Sequence, residues 1–134
     1  MTRPAANSAK TTNGAKTLVV LIVEDELLVR DNVAACLRYD GFAVIETVSG
    51  EEAIAFCRSD RSIDIVFTDI NLDGAATGWD VADAFQRVRP NVPVLYTSGK
   101  SIDPQRRIPG SVFVAKPYRG GDVADLCRQV AARL

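Results

Sequence analysis

The chain has no histidine among its 134 residues. That absence removes Cys-His nucleophiles and Ser-His-Asp triads and, with no C-x-x-C in the chain, zinc fingers as well. Cysteine is scarce: Cys36, Cys57 and Cys127 lie far apart, and no C-x-x-C spacing occurs. An odd, unpatterned set of thiols reads as small hydrophobes in a reducing interior. Long apolar runs are also missing. The longest, Leu18 to Val23, is far short of a membrane span, and the N-terminus has no apolar stretch of the secretory kind. A cytoplasmic protein without membrane contact is expected. Nor is there a surplus of basic charge. The net charge is -1, and beyond residue 16 the chain holds 13 basic and 17 acidic residues. An acidic body argues against nucleic acid as a partner.

What remains is ordinary globular material, 47% hydrophobic and 25% charged, of a length that suits one domain with a real core. Residues 1–16 are rich in Ala, Thr, Asn, Ser and Lys without periodicity, and read as a disordered tail before a domain at 17–134.

From Leu18 the pattern changes. LVVLIV is an unbroken β-branched and leucine run, the signature of a strand buried on both faces of a parallel sheet. A helix follows, with Leu27, Leu28, Val33, Ala34 and Leu37 near helical spacing and Gly41 as C-terminal cap. Further strands are expected at 42–46, 63–69, 92–98 and 112–115. Ser49 with Glu52 reads as a capping box before a second helix. A third helix carries Trp79, Val81, Ala82, Phe85 and Val88 and stops at Pro90. A short, weak fourth is expected near 101–107, and a last one opens at Asp122. Strand and helix thus alternate five times, which implies right-handed βαβ units. The expected fold is a doubly wound (βα)5 flavodoxin-like sandwich with a five-stranded parallel sheet. In such sheets ligands sit at the carboxyl ends of the strands.

Those ends hold the chemistry. Strand one finishes in Glu24-Asp25, strand three in Asp69, strand four in Thr97-Ser98 and strand five in Lys116-Pro117. Strand two offers Glu46 and Thr47, to which no role is assigned. Three converging carboxylates repel one another, and a hard divalent cation with oxygen ligands relieves that repulsion; Mg2+ suits a site of few carboxylates and several waters. A metal and a lysine around one carboxylate are a means to orient a phosphoryl group. Asp69 would then be the nucleophile, already ionised at neutral pH without a general base. A lone acidic pair after a strand is usually a solvated loop; the joint occurrence at four strand ends is the signal.

The segments LIVEDE, FTDINLDG, VLYTSG and FVAKPY resemble the signature segments of response-regulator (CheY-like) receiver domains of two-component signalling, and the resemblance spans about residues 17–134. It implies a phosphoacceptor switch rather than an enzyme, with Asp69 phosphorylated by a histidine kinase or histidine phosphotransfer protein. Mg2+ would be held by Asp25, Asp69 and the Asn71 backbone carbonyl, with Glu24 acting through water. Ser98 would be the switch hydroxyl, Lys116 the phosphoryl-pairing lysine and Phe113 the rotating aromatic. Because side chains alternate along a strand, Thr97 and Ser98 cannot both face the site. Spacing from Pro93 in the family favours Ser98.

The sequence departs from the family in the longer, glycine- and alanine-rich loop after Asp69 and in phenylalanine rather than tyrosine at 113. Signalling is expected through protein contacts with an unknown target, by the segment after Ser98 with strand five and the last helix. The chain would be a monomer or weak dimer. A stand-alone regulator is the leading expectation, and a receiver excised from a hybrid histidine kinase or larger regulator the alternative. A nucleotide binder would need a Gly-rich phosphate loop, and a haloacid-dehalogenase-type phosphatase a D-x-D motif after strand one; neither is present.

Overall fold

The computed structural model describes residues 16–99 and 110–134. The tail assigned to residues 1–16, apart from Lys16, and the short helix expected at 101–107 lie outside them. The described elements are β1 (Val19–Val23), α1 (Leu27–Tyr39), β2 (Ala43–Thr47), α2 (Gly50–Cys57), β3 (Ile65–Asp69), α3 (Gly78–Val88), β4 (Val94–Ser98), β5 (Val112–Ala115) and α4 (Gly120–Ala131). The strands form one parallel sheet in the order β2-β1-β3-β4-β5, as expected for the doubly wound fold.

Each face of the sheet has its own core, because alternate side chains of a strand point to opposite sides. Leu21, Val23, Val66 and Tyr96 pack with Ala53 and Cys57 of α2 and Val81, Ala82 and Phe85 of α3. Val20, Ile22, Phe67 and Leu95 pack with Val33, Ala34 and Leu37 of α1 and Val123, Ala124, Cys127 and Val130 of α4. Val20 to Val23 have no exposed surface. Full burial of such side chains stabilises by about 1.5–3 kcal/mol each. This apolar rod carries the charged pair that follows it.

Several boundaries differ from the sequence expectation, those of β3 and β4 for a local reason. β2 lies one residue later than expected, ending at Thr47. β3 opens at Ile65 rather than 63, because the Asp64 carboxylate takes the Val19 N–H at 2.8 Å where a ladder carbonyl would otherwise stand. β4 opens at Val94, since Pro93 has no N–H to give the ladder. α4 opens at Gly120, and Asp122 sits in its first turn, accepting from the Arg119 N–H. The Ser49 box is half formed. Ser49 Oγ accepts from Glu52 N, but the Glu52 carboxylate turns back to Val48 N at 2.9 Å. Gly41 follows α1 with φ +95°, the left-handed conformation that a C-terminal cap needs. The Arg89 guanidinium closes α2, donating to the carbonyls of Phe56, Cys57, Ser59 and Arg61. Among the described residues no helix is long and apolar enough to cross a membrane.

Candidate functional site

The parallel ladder brings the ends of β1, β3, β4 and β5 to one edge. Glu24, Asp25 and Asp69 each place a carboxylate oxygen there, all within 4.8 Å of one another. Lys116 reaches in from beyond β5, its Nζ 2.7 Å from Asp69 Oδ2 and 3.5 Å from Glu24 Oε1. Glu24 is 1% exposed and Asp69 4%. Two carboxylates so buried are costly unless paired or ligated.

Burial pushes the Glu24 carboxyl up from its ordinary value. The Glu26 N–H and Lys116 oppose this, while the charges of Asp69 and Asp25 add to it. Burial alone would lower the Lys116 ammonium, but its hydrogen bond and attraction to Asp69, then to Glu24, prevail and raise it. Glu24 Oε2 accepts from Glu26 N at 3.1 Å, whereas buried Oε1 accepts no hydrogen bond among the described residues and has Lys116 Nζ only as an ion-pair partner at 3.5 Å. An unsatisfied oxygen beside two further carboxylates is the donor set of a hard divalent cation or its water, so the residues fit such an ion.

One test follows from the Glu24 burial. Its pKa is raised in the folded state, so the associated stability is present below the unfolded value near 4.5 and is lost as pH rises through the folded value. Glu24→Gln is therefore expected to unfold at higher temperature than the parent at neutral pH in chelator, about 4 °C for each kcal/mol of strain removed. The difference should close as the pH falls below the ordinary carboxylate range. Calorimetry across that range checks it; a variant less stable than the parent at neutral pH contradicts it.

Asn71 bridges the acceptor strand and the switch position. Its N–H donates to Asp69 Oδ1 at 3.0 Å, and its side-chain amide donates to Ser98 Oγ at 2.8 Å. Ser98 thus faces the site. Thr97 Oγ1 is buried without a hydrogen-bond partner among the described residues. The resemblance pointed to the Asn71 carbonyl; the side-chain link needed a contact across 27 positions and was not legible. Phe113 is half-buried, opposite Tyr96 in the ladder, and packs on the α2–α3 side.

The loop after Asp69 is held at both ends. Asp73 N donates to Asp25 Oδ2 at 3.0 Å, and Ala75 N to Glu51 at 3.2 Å. Gly78 must be glycine: a Cβ there would stand 2.2 Å from the Asp69 carbonyl oxygen, so only glycine lets α3 start against the acceptor strand. Tyr118, beyond Lys116, stacks edge-on against Phe67 at 5.6 Å. Burial, then the charges of Glu24, Asp69 and Glu26, push its hydroxyl well above the usual range.

Comparison with known proteins bears on the family and the fold. The family model described as "Response regulator receiver domain" matches residues 20–120. The alkaline phosphatase synthesis transcriptional regulatory protein SphR of Synechococcus elongatus is 30% identical over 126 residues, 85% of this chain and 49% of its own length. The probable transcriptional regulatory protein TcrX of Mycobacterium tuberculosis is 31% identical over 105 residues, 75% of this chain and 44% of its own length. The chain therefore spans about half the length of these curated relatives. A crystal structure of a response regulator receiver protein from Sinorhizobium medicae superposes with a TM-score of 0.83 at 28% identity, covering 87% of this chain and 96% of that one.

Proposed function

Because the chain belongs to the response-regulator receiver domain family, we propose that it is a phosphoacceptor switch in which Asp69 takes a phosphoryl group from a phosphohistidine donor. The observation that carries this reading is Asp69 itself. It is a buried carboxylate held at 2.7 Å by an ammonium and flanked by two further acids. An Asp69 oxygen attacks phosphorus, the P–N bond breaks, and the histidine nitrogen leaves and is protonated. Receiver domains generally bind Mg2+ at such an acidic pocket. Here Asp25, Asp69 and the Asn71 carbonyl would hold it, and Glu24 through water, with the ion supplying charge neutralisation for the phosphoryl oxygens. Lys116 pairs with a phosphoryl oxygen.

Ser98 leaves Asn71 to donate to another phosphoryl oxygen, a charge-assisted bond of about 1.5–3 kcal/mol. Movement of Ser98 is read by Phe113, on the neighbouring strand. The same chemistry serves a stand-alone regulator and a receiver within a larger one. Labelling with phosphoramidate and Mg2+ tests the reading: one acid-stable, alkali-labile phosphoryl group per chain, mapped to Asp69, is expected. Label on another residue, or none, overturns it.

The donor needs a surface. Leu27 and Leu28 open α1 one residue beyond the Glu24–Asp25 pair and are 58% and 80% exposed. Apolar side chains placed openly at the mouth of a charged site suit a helical phosphohistidine protein. Leu28→Asp is expected to slow transfer from such a protein about tenfold, the equivalent of 1.4 kcal/mol of docking energy. Labelling by phosphoramidate should be unchanged. An equal loss with both donors would place the fault in the site rather than the surface.

A further inference from the structure

Glu24 is held by its main chain as firmly as by its side chain, and the hold comes from β2, the strand to which no role was assigned. The Glu24 N–H donates to the Thr47 carbonyl at 3.1 Å. Its carbonyl accepts from Arg30 Nη1 at 3.0 Å. Thr47 Oγ1 donates to the Ile22 carbonyl at 2.8 Å, just upstream. Arg30 Nε lies 3.4 Å from Glu46 Oε1, and the other Glu46 oxygen is 3.2 Å from Arg38 Nη2. The Arg30 side chain is only 12% exposed, so this pair is less open to water than an ordinary surface bridge.

The carbonyl that Arg30 grips belongs to the Glu24–Asp25 peptide. That unit is planar, so holding its oxygen fixes the direction in which the Asp25 backbone leaves. A charge effect of Arg30 on the carboxylates is the alternative route. Its contact is with a main-chain oxygen, however, and its charge is partly offset by Glu46, which it shares with Arg38. Geometry is the stronger route.

We propose that Arg30, oriented by Glu46, is a positioning residue that sets the Glu24–Asp25 peptide so that both carboxylates meet Asp69 around a divalent cation. The inference rests on the reading of Glu24, Asp25 and Asp69 as the cation site. A forked guanidinium meets the carbonyl through Nη1 and Glu46 through Nε, whereas a lysine offers a single nitrogen for both.

The test is Mn2+ binding to the full chain, followed by electron paramagnetic resonance of the free ion, beside thermal unfolding. Arg30→Ala and Arg30→Lys are each expected to weaken Mn2+ binding about tenfold, as loss of an outer support of a metal site does. Phosphoramidate labelling should be slow at low Mn2+ and return to the parent rate at saturation. The charge-reversed pair R30E/E46R restores one ion pair, loses the one from Arg38 and offers no donor to the Glu24 carbonyl, so it should recover part of the thermal stability at most and none of the Mn2+ affinity. Asp25→Asn is the control. If it loses Mn2+ binding while Arg30→Lys, folded and with its charge kept, binds like the parent, the positioning role is wrong. Recovery of affinity in the reversed pair would also overturn it. If Asp25→Asn itself binds Mn2+ unchanged, the cation-site reading fails first.

Discussion

Asp69→Asn is expected to take no phosphoryl label from phosphoramidate, acetyl phosphate or a phosphohistidine protein at any Mg2+ concentration. An amide oxygen carries no full negative charge and cannot form the mixed anhydride that an aspartyl carboxylate forms. The loss should be complete rather than graded, because of the three acids only Asp69 has its carboxylate aimed by both Asn71 N and Lys116 Nζ. Asparagine keeps the shape of the side chain. Its oxygen can still accept from Asn71 N or from Lys116, the two groups that hold Asp69 now. The fold should therefore persist. Intact mass before and after treatment, with a thermal melt of the same sample, reads both halves of the expectation. Stoichiometric label surviving in a folded Asp69→Asn protein would move the acceptor elsewhere.

Lys116→Ala carries the second large effect. It leaves Glu24 and Asp69 facing each other without the ammonium that lies 3.5 and 2.7 Å from them. Two unit charges about 4 Å apart repel by about 4 kcal/mol at an effective dielectric near 20. The Lys116 side chain is 26% exposed, so water admitted in its place recovers part of that. A metal-free loss of about 1–3 kcal/mol is expected. Divalent cation should then stabilise the variant more than it stabilises the parent, since the ion takes over the neutralisation. Phosphorylation, or its structural consequence, should be impaired with metal binding largely kept.

The pH dependence has a definite sign. The folded-state pKa of Lys116 is raised above its ordinary 10.5, so its contribution is fully present below that value and is lost as pH rises through the folded value. The parent should therefore weaken in the alkaline range by a step that Lys116→Ala does not show. Denaturant midpoints for both proteins, with and without Mg2+, check this. An unchanged metal dependence in the variant contradicts it.

Much of this protein is written locally. A continuous apolar run such as Val20 to Val23 declares a strand buried on both faces, and the repeated alternation of strand and helix leaves few topologies open. Once the sheet is parallel, every strand delivers its last residues to the same edge. Glu24, Asp25, Asp69, Ser98 and Lys116 could therefore be gathered from the linear order alone.

Tertiary structure decided what sequence spacing could not. Asp64 closed the front of β3 with its side chain because Val19 of a distant strand was there to donate. Asn71 turned its side-chain amide onto Ser98, singling that hydroxyl out from Thr97 beside it. Arg30 and Glu46, unremarkable charges on a helix and a strand end, met only because the crossover lays α1 against β2. Burial and direction along a strand are encoded by neighbours in sequence. Which two polar groups satisfy each other depends on how separate elements pack, and that is set by the whole core.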